Sequence, residues 1–163
     1  MSKLTDYFKD MNEVRRYVES LKVTQTDEDH ELFLYLFGLL DNRGISEPVE
    51  IEGRIIEIDK FLAPYIKDLN QTGIKTLACC SGLQVEHPED KYKPESGYLS
   101  FAFDRVVLEK LQGLVSDSII IIKESECYLQ PCITITIKSK EDSVLKEKWV
   151  YVFEVLKEVY KNK

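Results

Sequence analysis

From Ile74 to its last residue, the chain repeats one order of elements twice: two strands followed by a helix. The four strands are expected at residues 74–80, 98–103, 118–122 and 132–138, where β-branched and aromatic residues cluster or alternate with polar ones. Asp104 is a suitable N-cap for the first helix, and the apolar stripe of the second begins at Leu145. This order predicts the α+β class, with a mostly antiparallel four-stranded sheet and helices packed on one face. A circularly permuted ferredoxin-like arrangement is one topology compatible with it.

Two details of the sheet follow from residue types. The four consecutive isoleucines Ile119–Ile122 are typical of a strand buried on both faces. Cys127 and Cys132 are expected to flank a hairpin bend, where Pro131 excludes a ladder hydrogen bond.

Residues 1–45 are expected to form a pair of helices that precedes the core at 46–163. The second of these helices begins at the N-cap Thr26 and ends near Gly44. Its segment 32–40 is apolar almost all round, which is typical of a helix buried on several sides or held in a subunit contact. A homo-oligomer formed through helix 27–42 is therefore one prediction. A short strand near 49–58 and a helix with Pro64 in its first turn are expected to begin the core.

Composition limits the classes of function. Apolar residues make up 44% of the chain and charged residues 31%, which favours a folded domain over disorder. The net charge of −7 makes nucleic acid an unexpected partner, because phosphate binding needs clustered Lys and Arg. The amino terminus lacks the apolar core of a secretory signal, and no apolar run approaches the roughly 20 residues that span a bilayer. Together with four cysteines that are expected to be reduced, this predicts a cytoplasmic protein without a membrane partner.

The segment from Thr76 to Gly82 is the expected functional site, because an apolar strand ends there in Cys79, Cys80, Ser81 and Gly82. The long loop that follows, 83–96, is expected to cover a pocket for a small-molecule ligand. Backbone N–H groups at the turn and the Ser81 hydroxyl are expected to hold an acidic or carbonyl group. The candidate ligand-binding residues share proximity to this turn in the chain or on the neighbouring strand: Cys79, Ser81, Gly82, Gln84, Glu86, Tyr92, Tyr98 and Ser100.

Cys80 is the candidate nucleophile of an alternative, enzymatic reading, with His87 or Glu86 as its base. Successive strand residues point to opposite faces, so Thr76, Ala78 and Cys80 are expected on one face, and Cys79 on the other. If the Cys80 thiol lies among free N–H groups, its pKa is expected to fall. Plain packing of both thiols in the core is the competing interpretation.

The cysteines and histidines do not have the spacing of a known metal motif. No C-x₂-C pair is present, and Cys127 and Cys132 are separated by Tyr-Leu-Gln-Pro rather than by a knuckle turn. The sequence therefore assigns no metal site and no cofactor, although a mixed site assembled across strands stays an alternative.

The segment 66–82, with Leu-Asn-Gln-Thr-Gly before the strand and Cys-Cys-Ser-Gly after it, resembles a pattern in small uncharacterised bacterial and phage proteins. Cys80, Ser81 and Gly82 are also similar to part of the Ser-Ser-Cys-Ser-Gly-Arg motif of the TYW-three family, the wybutosine-synthesis methyltransferases. Leu83 stands at the position of the family's arginine. The second resemblance implies a transferase that uses S-adenosylmethionine and acts on transfer RNA.

Three functions are compatible with these observations. The first is a small-ligand-binding or regulatory protein with its pocket at the turn 79–82. The second is an enzyme, either cysteine-dependent or a transferase of the TYW-three kind. The third is a protein-interaction module that uses the apolar segment 32–40.

Overall fold

The computed structural model describes residues 45–87 and 94–163, without the side chain of Arg54. Both predicted N-terminal helices, and with them the predicted oligomer contact at 27–42, lie outside the described residues. Tyr92 also lies outside them. The chain divides into two compact units, Met1–Ile58 and Asp59–Lys163. None of the described helices is both long and apolar enough to cross a bilayer.

Strands β1 (Ser46–Ile51) and β2 (Arg54–Asp59) form a hairpin that belongs to the first unit except for its last residue, Asp59. Its loop contains only Glu52 and Gly53, which both have positive φ, at 52° and 77°. Positive φ at both central residues defines a type I′ turn, whose twist matches that of paired strands. The sequence predicted one strand here, and the Glu-Gly turn is the signal that divides it into two.

The second unit contains a four-stranded antiparallel sheet and three helices, which confirms the α+β class. In chain order, the elements of this unit are α1 (Ala63–Gln71), β3 (Thr76–Cys80), β4 (Ser96–Ala102), α2 (Arg105–Leu114), β5 (Ile120–Cys127), β6 (Gln130–Lys138) and α3 (Asp142–Lys161). The strands lie in the order β3-β4-β6-β5, and all neighbours are antiparallel. This order is the one expected for a circularly permuted ferredoxin-like sheet.

One face of the sheet carries the core. Leu99 pairs with Ile135 and Phe101 with Ile133, and all four side chains are fully buried. Helix α3 packs on this face, since its Trp149 lies against Gly97 and its Tyr160 ring meets the Phe101 ring edge-on. Asp104 caps α2 as predicted, with its carboxylate accepting the Val107 N–H at 3.1 Å.

The predicted hairpin bend between Cys127 and Cys132 is confirmed: it consists of Tyr128 and Leu129, and Pro131 lies within β6. Two other expectations for the sheet were wrong in detail. The isoleucine strand β5 forms a sheet edge and runs on to Cys127, and only Ile120 is buried among its isoleucines. A bulge between Thr76 and Ala78 places Thr76 opposite Phe101, on the core face, instead of on the face of Ala78 and Cys80.

Candidate metal site at the end of strand β3

Three side chains that can bind metals meet at the end of β3. The Cys80 sulfur lies 3.5 Å from Nε2 of His87, and the same Nε2 lies 3.5 Å from Oδ2 of Asp59. One ligand atom from each residue lies within 4.8 Å of the other two. The sequence predicts Cys80 and His87 as site residues but gives no comparable prediction for Asp59. Asp59 stands 21 residues before Cys80 and belongs to no local motif, and its one signal is an acidic residue directly after the apolar strand 55–58.

The contacts of His87 with Cys80 and with Asp59 use the same ring nitrogen, and this decides what these three residues can do together. In a nucleophilic triad the histidine contacts the nucleophile through one nitrogen and the carboxylate through the other. Here the Cys80 thiol and the Asp59 carboxylate converge on Nε2. Convergence of three donor atoms around one point is the arrangement of metal ligands.

The observed spacing also fits a tetrahedral ion. With Zn–S of about 2.3 Å and Zn–N of about 2.0–2.1 Å, tetrahedral geometry separates the sulfur and nitrogen by about 3.5 Å. The corresponding nitrogen-to-oxygen separation is about 3.4 Å. Both observed contacts are 3.5 Å long. The three atoms can therefore hold a zinc-sized ion with little movement.

The ends of three elements place these ligands. Asp59 is the last residue of β2, and its Oδ2 accepts the Ser81 N–H at 2.6 Å. Cys80 is the last residue of β3, and it pairs with Tyr98 of β4. His87 follows a 3₁₀ helix, Gln84–Glu86, whose first two N–H groups donate to the carboxylate of Asp142 at 2.7 and 3.1 Å. The sheet and helix α3 thus fix the site from two sides.

Glu86 lies beside the three ligands and is only 8% exposed. Its Oε2 accepts the Phe61 N–H at 2.9 Å. Its Oε1 is buried, with no hydrogen-bond partner among the residues that the structure describes. Burial raises the pKa of Glu86, and the hydrogen bond from the Phe61 N–H offsets part of that rise. A buried carboxylate oxygen without a partner is destabilising unless a cation or a donor approaches it.

Burial raises the pKa values of both neighbouring thiols, Cys79 and Cys80, and so favours their protonated form. Burial raises the pKa of Cys80 to about 11, and the nearby Asp59 carboxylate adds to the rise, although the Gly82 N–H favours the thiolate. Burial likewise raises the pKa of Cys79 to about 12. The expectation of a lowered pKa at Cys80 was wrong, because desolvation outweighs the single N–H group. A bound cation reverses this balance, since metal binding deprotonates a coordinating thiol.

The N–H groups of the turn are largely used within the protein. Besides the Ser81 N–H, the Leu83 N–H donates to the Ser81 hydroxyl at 3.1 Å. The Ser81 carbonyl accepts the Trp149 indole N–H at 2.8 Å, and Ser81 is fully buried. Gly82 has a φ of 75°, and a Cβ there would lie 2.5 Å from the Gly97 nitrogen. The absence of a side chain at Gly82 therefore allows its backbone to pack closely against the backbone of β4.

The other predicted site residues fall into two groups. Tyr98 is 39% exposed and pairs with Cys80, on the same face of the sheet. Cys79 pairs with Leu99 and thus lies on the opposite face, as predicted. The amide of Gln84 donates to the Lys140 carbonyl at 3.0 Å, and the Ser100 hydroxyl bonds to that of Thr134 at 2.8 Å. The structure thus brings together Cys80, Glu86 and His87, with Tyr98 next to them, while Gln84 and Ser100 have partners elsewhere.

Comparisons of the chain with models of protein families, with curated proteins and with solved structures found no match.

Proposed function

We propose that this protein binds a divalent transition-metal ion through Asp59, Cys80 and His87, and that the ion is Zn²⁺. The observation that carries the proposal is the convergence of a thiol and a carboxylate on one imidazole nitrogen, each at 3.5 Å. Thiolate, imidazole and carboxylate together suit Zn²⁺, whereas Mg²⁺ and Ca²⁺ prefer oxygen ligands alone. The buried oxygen Oε1 of Glu86, which has no hydrogen-bond partner among the described residues, supports a cation at this place.

Hydrogen bonds around the ligands add support. Metal-binding carboxylates are themselves commonly hydrogen-bonded, and this outer shell orients them. Asp59 accepts the Ser81 N–H through Oδ2, the same oxygen that faces His87. A carboxylate oxygen has two lone pairs, so it can accept this bond and still bind the ion.

The test is the metal content and metal affinity of the full chain. We expect stoichiometric zinc in protein purified without chelator, by inductively coupled plasma mass spectrometry. After removal of the metal, competition with a chromophoric chelator measures the affinity. Asp59→Asn, Cys80→Ser and His87→Gln each remove one ligand and are expected to weaken binding at least about tenfold.

Cys127→Ser is the matched control, because Cys127 is a free cysteine at the far end of β5. It is expected to leave the affinity unchanged. Wild-type affinity in Cys80→Ser, or equal loss in Cys127→Ser, would show that the proposed ligands are wrong.

The wider sequence predictions stay proposals beside this one. We propose a cytoplasmic protein that self-associates through helix 27–42. Recognition of a small ligand at the turn 79–82 is compatible with a metal there, because an ion with an open position can itself bind an acidic or carbonyl group. The implied transferase activity of the TYW-three resemblance is a separate prediction, and the metal site does not depend on it.

A further inference from the structure

Glu86 stands outside the set of three ligands although it is buried beside them. Only Asp59, Cys80 and His87 form a group of ligand atoms within 4.8 Å of one another among the described residues. The Phe61 N–H fixes Oε2 of Glu86, so turning this carboxylate into the ligand shell would break a 2.9 Å hydrogen bond. Oε1 remains buried and unpartnered in the described part of the chain. This oxygen is a hydrogen-bond acceptor without a donor.

Asp59, Cys80 and His87, the three ligands within the part of the chain that the structure describes, leave one position of a tetrahedral ion open. Structural zinc sites are closed by four protein ligands, whereas catalytic sites have three and bind water at the fourth. A water molecule bound to the ion carries the donor that Oε1 of Glu86 lacks. The ion also makes that water far more acidic than bulk water.

We propose that the site is hydrolytic: Glu86 takes a proton from a metal-bound water, and the resulting hydroxide attacks the carbonyl carbon of a neutral ester or amide. This proposal rests on the metal site proposed above. It assigns Glu86 a catalytic role that differs from that of the three ligands.

The reaction is balanced without a redox partner. The water proton moves to Oε1 of Glu86, and the hydroxide oxygen forms a bond to the carbonyl carbon. The bond from that carbon to the leaving oxygen or nitrogen then breaks, and the leaving group takes the proton from Glu86. The carboxylic acid product leaves with its own proton or releases it to solvent, and a second water fills the open position.

Charge favours a neutral substrate. The Cys80 thiolate and the Asp59 carboxylate balance the double charge of the ion, and Glu86 adds a further negative charge. Like charges repel strongly in a partly desolvated site, so a phosphate ester, which is an anion, is disfavoured. The protein as a whole is also acidic, with a net charge of −7.

The test compares zinc-loaded and metal-free full chain with 4-nitrophenyl acetate, a neutral ester, and 4-nitrophenyl phosphate, an anion. We expect zinc-dependent hydrolysis of the acetate alone. Glu86→Gln retains an oxygen that accepts the Phe61 N–H but cannot take a proton. It is expected to lower kcat/KM for the acetate at least about a hundredfold with zinc content unchanged. Glu154→Gln, at an exposed position of α3, is the control and is expected to retain the full rate.

A second measurement does not depend on the Glu86 variant. With Co²⁺ in place of Zn²⁺, acetohydroxamate is expected to change the visible spectrum of the wild type, because it displaces water from an open position. An unchanged spectrum means a closed site and overturns the proposal. Zinc-loaded protein without zinc-dependent hydrolysis, zinc lost in Glu86→Gln, or cleavage of the phosphate alone overturns it as well, and the metal site itself then stands. Failure to bind zinc at all refutes both proposals.

Discussion

Gly82 and Gly73 have similar backbone conformations but different surroundings. Their φ angles are 75° and 92°, and both lie in the region that penalises a side chain. A Cβ at Gly82 would meet the Gly97 nitrogen at 2.5 Å and the Ser96 carbonyl oxygen at 2.7 Å, whereas a Cβ at Gly73 meets nothing within 4 Å. A substitution at Gly73 therefore measures the free-energy cost of the backbone conformation alone, whereas a substitution at Gly82 adds the cost of steric contact.

We expect Gly73→Ala to lower the free energy of unfolding by about 1–2 kcal/mol, which is the penalty for a left-handed alanine. Gly82→Ala adds a clash with backbone atoms, which cannot turn away, and overpacking of this kind costs about 1–3 kcal/mol more. Urea denaturation of both variants measures the difference. Equal losses would mean that β4 moves aside without cost.

At the scale of single residues, the sequence predicted part of the site. Cys80 and His87 were selected because they lie close together in the chain, on a strand end and the loop after it. Asp59 comes from a preceding hairpin, and only the folded chain brings its carboxylate to the same nitrogen. Ligand residues that are distant in sequence and meet only in the fold form no motif with a recognisable spacing. The lowered pKa expected at Cys80 was wrong for the same reason, because burial and the Asp59 charge, which depend on the fold, both raise that pKa.

Among the elements, the β5–β6 hairpin has an unfavourable turn. Tyr128 and Leu129 have φ of 50° and 60°, and they are 78% and 94% exposed. Two positive φ angles define a type I′ turn, which favours Asn-Gly. We expect the double variant Tyr128→Asn, Leu129→Gly to raise the free energy of unfolding by about 1–2 kcal/mol, because each left-handed non-glycine residue is strained.

Urea denaturation checks this expectation, with Leu114→Asn as the control. Leu114 is 57% exposed at the end of α2 and has no comparable strain, so its loss is expected to bring no gain. A double variant no more stable than the wild type would show that the turn is relaxed as it stands.

Asp142, the first residue of helix α3, contacts the segment that leads to His87. The Asp142 carboxylate accepts the N–H groups of Gln84 and Val85 and so holds the 3₁₀ helix that carries Glu86 and leads to His87. We expect Asp142→Ala to weaken zinc binding by about 10-fold to 100-fold, the range for outer-shell partners of a metal site. Chelator competition measures the affinity.

Glu141→Ala provides the comparison for Asp142. Glu141 is the neighbouring N-cap residue, and it makes no side-chain capping bond. Its replacement is expected to leave zinc binding unchanged. Wild-type zinc affinity in Asp142→Ala would mean that His87 keeps its position without the hydrogen bonds from Gln84 and Val85 to Asp142.

Within residues 45–87 and 94–163, the predicted elements were right in type and less accurate in extent. Alternation on β6 and the Asp104 cap are local signals, and both were confirmed. The isoleucine run suggested a central strand, yet its position at the sheet edge depends on which strands pair, and pairing is not local. The bulge in β3 moved Thr76 to the core face for the same reason, because it is set by the partner strand.

At the scale of the whole molecule, the Asp117–Lys148 pair links the start of β5 to α3, with an N–O distance of 2.8 Å. Its hydrogen bond lowers the pKa of Asp117 below 3.8 and raises that of Lys148 above 10.5. A lowered carboxyl pKa stabilises the fold above the unfolded value, and this contribution is lost as the pH falls through the folded value. We therefore expect Asp117→Asn to be less stable than the wild type at pH 7, with the difference disappearing near pH 2.

Asparagine isolates the charge in this experiment, because its side-chain oxygen can still accept the Ile119 N–H that Asp117 accepts at 3.1 Å. Thermal unfolding of both proteins at several pH values measures the difference in their stability. High salt is expected to reduce it at pH 7, since the pair is partly exposed. A difference that is the same at both pH values would assign the effect to the hydrogen bond to Ile119 instead.

The arrangement of the whole sheet was predictable because the element order constrains it strongly. Two passes of strand-strand-helix allow few ways to cover one face of an antiparallel sheet, and the observed order β3-β4-β6-β5 is one of them. The candidate site could not be predicted in this way, because Asp59, the end of β3, the 3₁₀ helix and the first residue of α3 come from distant positions in the sequence of the second unit.

Trp149 is the one tryptophan of the chain, and its indole N–H is bonded to the carbonyl of Ser81, the residue next to Cys80. Indole emission depends on the hydrogen bonding and polarity around the ring. The molecule therefore carries its own optical reporter beside the proposed ligand. Any event that shifts the Cys80–Ser81 peptide is expected to alter the intrinsic fluorescence, so occupancy can be followed in real time without a label.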